Sequence, residues 1–222
     1  MRSLILSALL GISVGVSATV AGGSTAQVAV VGDIAPSVVA VNIDGGGHGS
    51  GTVVKCEQIA EDLWAITILT ARHVASPVEL EFMSPEEREM YPWSLSVLGQ
   101  RAHLLTNHPA LDASLIQVIL DKPLPVAKLR HEGVLAGEDL YVMGFSVSGE
   151  DLWISKGVAS SPDRGGSAAP GDSGGAVFDE RGNLVGVVNA IDSLGFNGLV
   201  WHHHYFAPIA DLTDWLAENG LK

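Results

Sequence analysis

From Ser37 to Phe206 the chain repeats one pattern: a short run of β-branched and other apolar residues, then a break at Gly, Asn or Asp. Residues 37–43, 52–56, 63–70, 78–82, 95–97 and 115–119 are such runs in the first half. Residues 140–145, 152–158, 175–178, 184–189 and 199–206 follow in the second. A strand of this length cannot bury its apolar face alone, so many of them in close succession predict a sandwich or barrel. Between the first two runs, residues 44–51 read as a glycine-rich turn. Helical periodicity is clear only at residues 209–217, where Ile209, Leu212, Trp215 and Leu216 share a face. Asp211 suits its first turn and Gly220 its end. Residues 121–129 open Asp-Lys-Pro-Leu-Pro and read as a linker between two halves.

Of the 222 residues 47% are hydrophobic and 17% charged, which excludes a disordered chain or a coiled coil. Twelve Lys and Arg against 25 Asp and Glu leave a net charge of −13. Such a surface repels phosphate backbones and anionic lipid, so nucleic acid is excluded as a partner. Cys56 is the single cysteine, so there is no internal disulfide and no metal site built on several thiolates.

The N-terminus has the layout of an export signal. Arg2 precedes an uncharged apolar run over residues 4–20, and small residues at Ala18, Ala21 and Ala26 offer cleavage points. Residues 1–26 are therefore expected to be a signal peptide and the mature protein periplasmic or secreted. The second reading keeps residues 4–20 as a membrane anchor, although the run falls short of the roughly 20 residues a spanning helix needs. No later segment is long and apolar enough to span, so a soluble body is expected.

Three short segments carry chemistry. In Gly171-Asp-Ser-Gly-Gly175 a serine lies among glycines that allow a tight turn and bring amide N–H groups toward a reacting carbonyl. A serine attacks only when a base takes its proton. His73, in Ile68-Leu-Thr-Ala-Arg-His-Val74, follows an apolar strand and can be that base. Asp112, in Leu111-Asp-Ala-Ser-Leu115, stands at the edge of another strand and can hold the imidazole in one tautomer. Alone, the histidine and the aspartate are as readily structural; the pentapeptide is the specific signal.

Together these segments resemble the trypsin-like serine peptidases, the bacterial HtrA branch most of all. That family carries Thr-Ala-x-His, an Asp before an apolar strand, and Gly-Asp-Ser-Gly-Gly in this chain order. The likeness extends to Ala35-Pro-Ser-Val-Val-Ala-Val41 with Gly49-Ser-Gly-Thr-Val53, to Gly137-Glu-Asp-Leu-Tyr-Val-Met-Gly144, and to Phe206-Ala-Pro-Ile209 before the last helix. It implies an all-β fold of two Greek-key six-stranded barrels, residues 27–125 and 126–208, with the site between them and a helix over 209–222. It also implies a serine endopeptidase needing no cofactor or metal, with His73, Asp112 and Ser173 as triad. The Gly171 and Ser173 amides would form the oxyanion hole. Family spacing puts the pocket floor at Ser167 and its walls at Asn189, Ala190, Ile191 and His203 or His204. A protein or peptide cleaved after a small or aliphatic side chain is the expected substrate; His204 turned inward would admit an acidic one. Asn189 stands where many members place a hydroxyl, and is expected to be able to bond Asp112. The chain departs from the family in two ways. Val30-Val-Gly-Asp33 lies too close to the first strand to be an activation sequence and reads as ordinary chain. No PDZ domain is expected after the helix.

Other readings compete. Gly171-x-Ser173-x-Gly175 also fits the nucleophile elbow of an α/β-hydrolase esterase, with Asp192 and His202 as partners. A peptide-binding module could keep the fold without catalysis. His202 and His204 share a strand face and could begin a zinc site, but no third ligand is identifiable.

Overall fold

The computed structural model describes residues 25–44, 47–76, 84, 93–146, 149–196 and 199–221, by backbone alone at 25–28 and 190–203. The apolar run of residues 4–20 and the expected strand 78–82 lie outside the described residues.

Six strands close the first barrel: β1 (Val38–Ile43), β2 (Gly47–Ala60), β3 (Leu63–Thr70), β4 (Leu95–Val97), β5 (Gln100–Asn107) and β6 (Ser114–Leu120). Their order around it is β1-β2-β3-β6-β5-β4. After the two-residue β7 (Lys128–Leu129) come β8 (Asp139–Gly144), β9 (Trp153–Ser161), β10 (Arg164–Gly165), β11 (Ala176–Asp179), β12 (Asn183–Phe196) and β13 (Leu199–Pro208). They run β11-β8-β9-β10-β13-β12, and the β11–β12 pairing closes the ring. Read from β8, that is the strand order of the first barrel again, so the expected pair of Greek-key barrels is what forms. The helices are α1 (Thr25–Ile34), the one-turn α2 (Arg72–Ala75) and α3 (Ile209–Glu218). No helix among the described residues is long and apolar enough to cross a membrane.

The period-two alternation of the strands sorts their side chains into two destinations. In the first barrel Val39, Val41, Val53, Ile66, Ile68, Ile116 and Val118 point to the interior. Their neighbours Val38, Val54, Leu69 and Leu115 point outward, into a core shared with the second barrel. There, Leu140, Val142, Val177, Val185 and Phe206 fill the interior. Tyr141, Met143, Ala176, Phe178, Leu184 and Val187 face the shared core. The apolar face of α3 (Ile209, Leu212, Trp215, Leu216) and Val31 of α1 complete this seam. Burying each such side chain contributes roughly 1.5–3 kcal/mol, so the barrels are held as one body by an apolar interface.

Several expectations are corrected. Residues 30–33 belong to α1, whose Ile34 and Val30 pack on Gly182 at the β11–β12 turn. Strand β2 begins at Gly47, inside the expected turn. The connection at 121–127 has no regular structure, but its exit is tied to both barrels: Ala127 N donates to Val53 O at 2.8 Å and Arg130 N to Leu184 O at 2.9 Å. Arg130 also pairs with Glu138 at 2.6 Å, anchoring the start of the second barrel.

Candidate active site

His73 is placed by the end of β3. Ala71 is extended (φ −72°, ψ 145°), and its carbonyl accepts the amides of Val74 and Ala75, which starts α2. The Trp93 indole N–H donates to Val74 O at 3.2 Å and pins the turn. Asp112 lies on the β5–β6 turn and meets His73 twice. Its Oδ1 accepts the His73 backbone amide at 3.0 Å, and its Oδ2 lies 2.8 Å from Nδ1. With the Nδ1 proton directed at the carboxylate, Nε2 is left as the basic nitrogen. Burial pushes the Asp112 carboxyl up, but its bonds to His73, the imidazole charge and the Arg72 amide outweigh that and hold it below the ordinary range. The acid is thus ionised wherever the imidazole can act as a base.

The serine comes from the second barrel, on residues 166–175 between β10 and β11. Backbone donors in this loop follow a pattern. Asp172 N donates to Ala169 O at 3.0 Å, Gly174 N to Val188 O at 2.7 Å, and Gly175 N to Asp172 O at 2.7 Å. The amides of Gly171, just before them, and of Ser173, between them, donate to no backbone acceptor among the described residues. Asp172 is buried and shapes the loop: Ser146 donates its hydroxyl to Oδ1, and Ala169 N donates to Oδ2 at 2.7 Å. Burial raises its pKa against the opposing pull of those two donors and of His204.

The first barrel grips this loop directly. Ser50 N donates to Ser173 O at 2.7 Å, and Ser50 Oγ donates to Gly171 O at 2.8 Å while accepting Phe145 N at 2.8 Å. Thr70 Oγ1 in turn donates to Ser50 O at 2.6 Å. At Gly174 (φ +83°) a Cβ would lie 2.2 Å from both Ser50 O and Thr70 Oγ1, so no side chain fits there. Ser173 is therefore set, half-buried, against the segment that leads into His73. Among the described residues no hydrogen bond joins its hydroxyl to the imidazole; such bonds commonly tighten only when substrate is bound.

The pocket residues are less uniformly placed. Ser167 is exposed, and its carbonyl accepts the Ser155 hydroxyl. His204, on β13, accepts Ala168 N on Nδ1 at 3.0 Å. Ala190 and Ile191 sit on β12, in register with Tyr205 and His204. Asn189 falls where the β12–β13 ladder slips, and its amide oxygen is buried with no hydrogen-bond partner among the described residues. The bond from Asn189 to Asp112 does not form among the described residues; the carboxylate is occupied by His73 and Arg72. The side chain of His202 lies outside the described residues, and no group of three metal-ligating side chains occurs among them. Sequence reasoning missed Ser50 and Thr70, whose role lies in bonds to backbone atoms more than a hundred residues away or across a strand pair, and no local signal marks them.

Two closed barrels, one bearing a His–Asp pair and the other a Gly-Asp-Ser-Gly-Gly loop, define a chymotrypsin-like fold. Residues 49–187, more than half of the chain, match the family model described as a trypsin-like peptidase domain. The chain belongs to that family. Among curated proteins none matches it. After Ser173 the chain enters strand β11, where the elbow of an α/β-hydrolase requires a helix.

Proposed function

We propose that this protein is a serine endopeptidase that hydrolyses peptide bonds through Ser173, His73 and Asp112. The observation that carries the reading is the 2.8 Å His73–Asp112 bond set beside a loop whose Gly171 and Ser173 amides have no backbone acceptor among the described residues. In this reading His73 Nε2 takes the Ser173 proton as the hydroxyl attacks the scissile carbonyl. The two amides hold the oxyanion. His73 then gives the proton to the leaving amine, and water attacks the acyl-enzyme with the same base assisting. Ionised Asp112 stabilises the imidazolium in between. None of these steps calls for a metal or cofactor.

Ser167, Asn189, Ala190, Ile191 and His204 line the proposed substrate pocket. With no carboxylate at Ser167, cleavage after a small or aliphatic side chain is favoured over Arg or Lys. A peptide-library digest showing cleavage after Arg or Lys would overturn this preference. By its motifs the protein falls closest to the protease domain of the HtrA branch. It acts in the periplasm or outside the cell, released by cleavage within residues 1–26 or held by residues 4–20.

A fluorophosphonate probe tests the central reading. It should label the protein covalently, and Ser173→Ala should abolish labelling. A folded protein that takes no label would instead be a binding module on the peptidase fold.

A further inference from the structure

Sequence alone assigns His108 nothing, yet it lies inside the turn that presents Asp112. That turn joins β5 to β6. At its neck Ser114 Oγ donates to Asn107 Oδ1 at 2.5 Å, and His108 N donates to Ala113 O at 2.9 Å. Within it, the His108 Nδ1 accepts two backbone amides, Leu111 at 2.8 Å and Ala110 at 3.2 Å. Ala113 N closes on Leu111 O at 2.9 Å. A nitrogen that accepts must carry a lone pair, so the ring is neutral with its proton on Nε2. Trp215 of α3 backs the ring edge-on, with centroids 5.3 Å apart and planes at 81°. The imidazole is thus the filling of the loop: it replaces water as acceptor for two amides and fixes where residue 112 leaves the chain.

We propose that His108 is a positioning residue whose neutral imidazole holds Asp112 in register with His73, and that a proton on its Nδ1 releases the turn and uncouples the pair. The kinetic consequences rest on the peptidase reading; the positioning itself does not. A misplacement of about 1 Å between catalytic groups costs on the order of 10²-fold in rate. The ionisable groups on the packed elements are Asp112 on the turn, Arg72 and His73 on α2, Arg101 and His103 on β5, and Asp211, Asp214 and Glu218 on α3. None of them shifts His108, whose pKa is lowered by burial alone. The sign follows: the neutral ring is favoured in the folded protein, and this support is lost as pH falls through the folded value. Acid should therefore disable the site through a proton on His108 Nδ1.

Two variants of the full chain separate this from a packing role. His108→Leu keeps bulk but removes the acceptor. His108→Asn places an amide oxygen near the position of Nδ1. With a peptide substrate, His108→Leu should lose about 10- to 100-fold in kcat with KM within about threefold, while His108→Asn stays within about threefold of the parent. In the acid limb of kcat/KM, the parent should fall one proton more steeply than His108→Asn. The downfield NMR resonance of the His73 Nδ1 proton should be lost in His108→Leu and kept in His108→Asn. That signal needs no turnover: a parent protein that neither hydrolyses peptide nor takes the serine label sinks the peptidase reading, while the resonance still judges the positioning. A folded His108→Leu with parental signal overturns the inference. So does a His108→Asn that loses as much signal as His108→Leu, or an acid limb equally steep in parent and His108→Asn.

Discussion

In the first barrel, the groups of the site are held by bonds made within that barrel. His73 is the third residue after the end of β3, Asp112 sits on the β5–β6 turn, and their two contacts at 3.0 and 2.8 Å lock one to the other. In the second barrel, Ser173 rides on ten residues between strands, and much of what holds it comes from across the seam. Ser50 takes both Gly171 O and Ser173 O, and Thr70 fixes Ser50. The same strand order thus yields a self-supporting His73–Asp112 pair on one side and a borrowed geometry for the serine on the other. It follows that damage to the seam should disturb the serine, while damage to the apolar interior of the first barrel should lower stability without moving the His73–Asp112 pair.

The largest effect should come from breaking the self-supporting pair. Asp112→Asn is expected to leave the fold intact, since its neighbours can still bond an amide oxygen, but to reduce turnover by roughly 10⁴. Thermal melting and kcat measured side by side check this; an active, folded variant would show that another acid serves. Next is the borrowed geometry. Gly174→Ala drives a methyl into Ser50 O and Thr70 Oγ1 at a backbone φ of +83°. The loop must move away from the first barrel, and a loss of about 10²-fold or more in kcat is expected, with about 1–3 kcal/mol of stability.

The contrast between the cores gives a smaller, graded test. Phe178 is fully buried in the seam, and Phe178→Ala should cost about 3–5 kcal/mol in denaturant unfolding. Ile66 is equally buried inside the first barrel, and Ile66→Val should cost about 0.5–1.5 kcal/mol. The sharper distinction is kinetic. At a temperature where both variants are folded, Phe178→Ala should show reduced kcat and Ile66→Val should not. Equal kcat in the two would remove the seam from the account of the serine.

What could be read from the sequence divides along the same line. Strands β3 and β4 fall on the residues expected, because runs such as Leu63–Thr70 are apolar and β-branched whichever face is covered. Strand β5 was not legible. Of Gln100–Asn107 only Ala102 is buried, and a bulge between Leu104 and Thr106 leaves Leu104 and Leu105 both exposed, which destroys the alternation. Helix α1 was hidden by its β-branched valines, which weaken helix propensity; packing of Val31 and Ile34 against the seam and Gly182 overrides it. At the site, the three segments announce themselves through residue type and chain order. Ser50, Thr70 and His108 do not, because each acts on backbone atoms whose position only the folded chain decides. Asn189 shows the converse: its place in the chain suggested a bond that the ladder slip withholds.

The smallest expected effect concerns two carboxylates whose surroundings push them apart. Asp112 is held below its ordinary pKa and Asp172 is pushed above its own. For Asp112 the unfolded chain binds the proton more readily, so its contribution to stability is present above about pH 3.9 and lost as pH falls through the lowered folded value. For Asp172 the folded chain holds the proton more readily, so stability declines as pH rises from about 3.9 through the raised value. Measured against the parent, Asp112→Asn should gain relative stability on acidification below this point. Asp172→Asn should gain it on raising the pH above. Urea midpoints between pH 3 and 7 read both slopes. If the two variants drift in the same direction, then the second barrel does not bury its carboxylate at a cost, and the loop before Ser173 is held by something other than Asp172 clamped between Ser146 and Ala169.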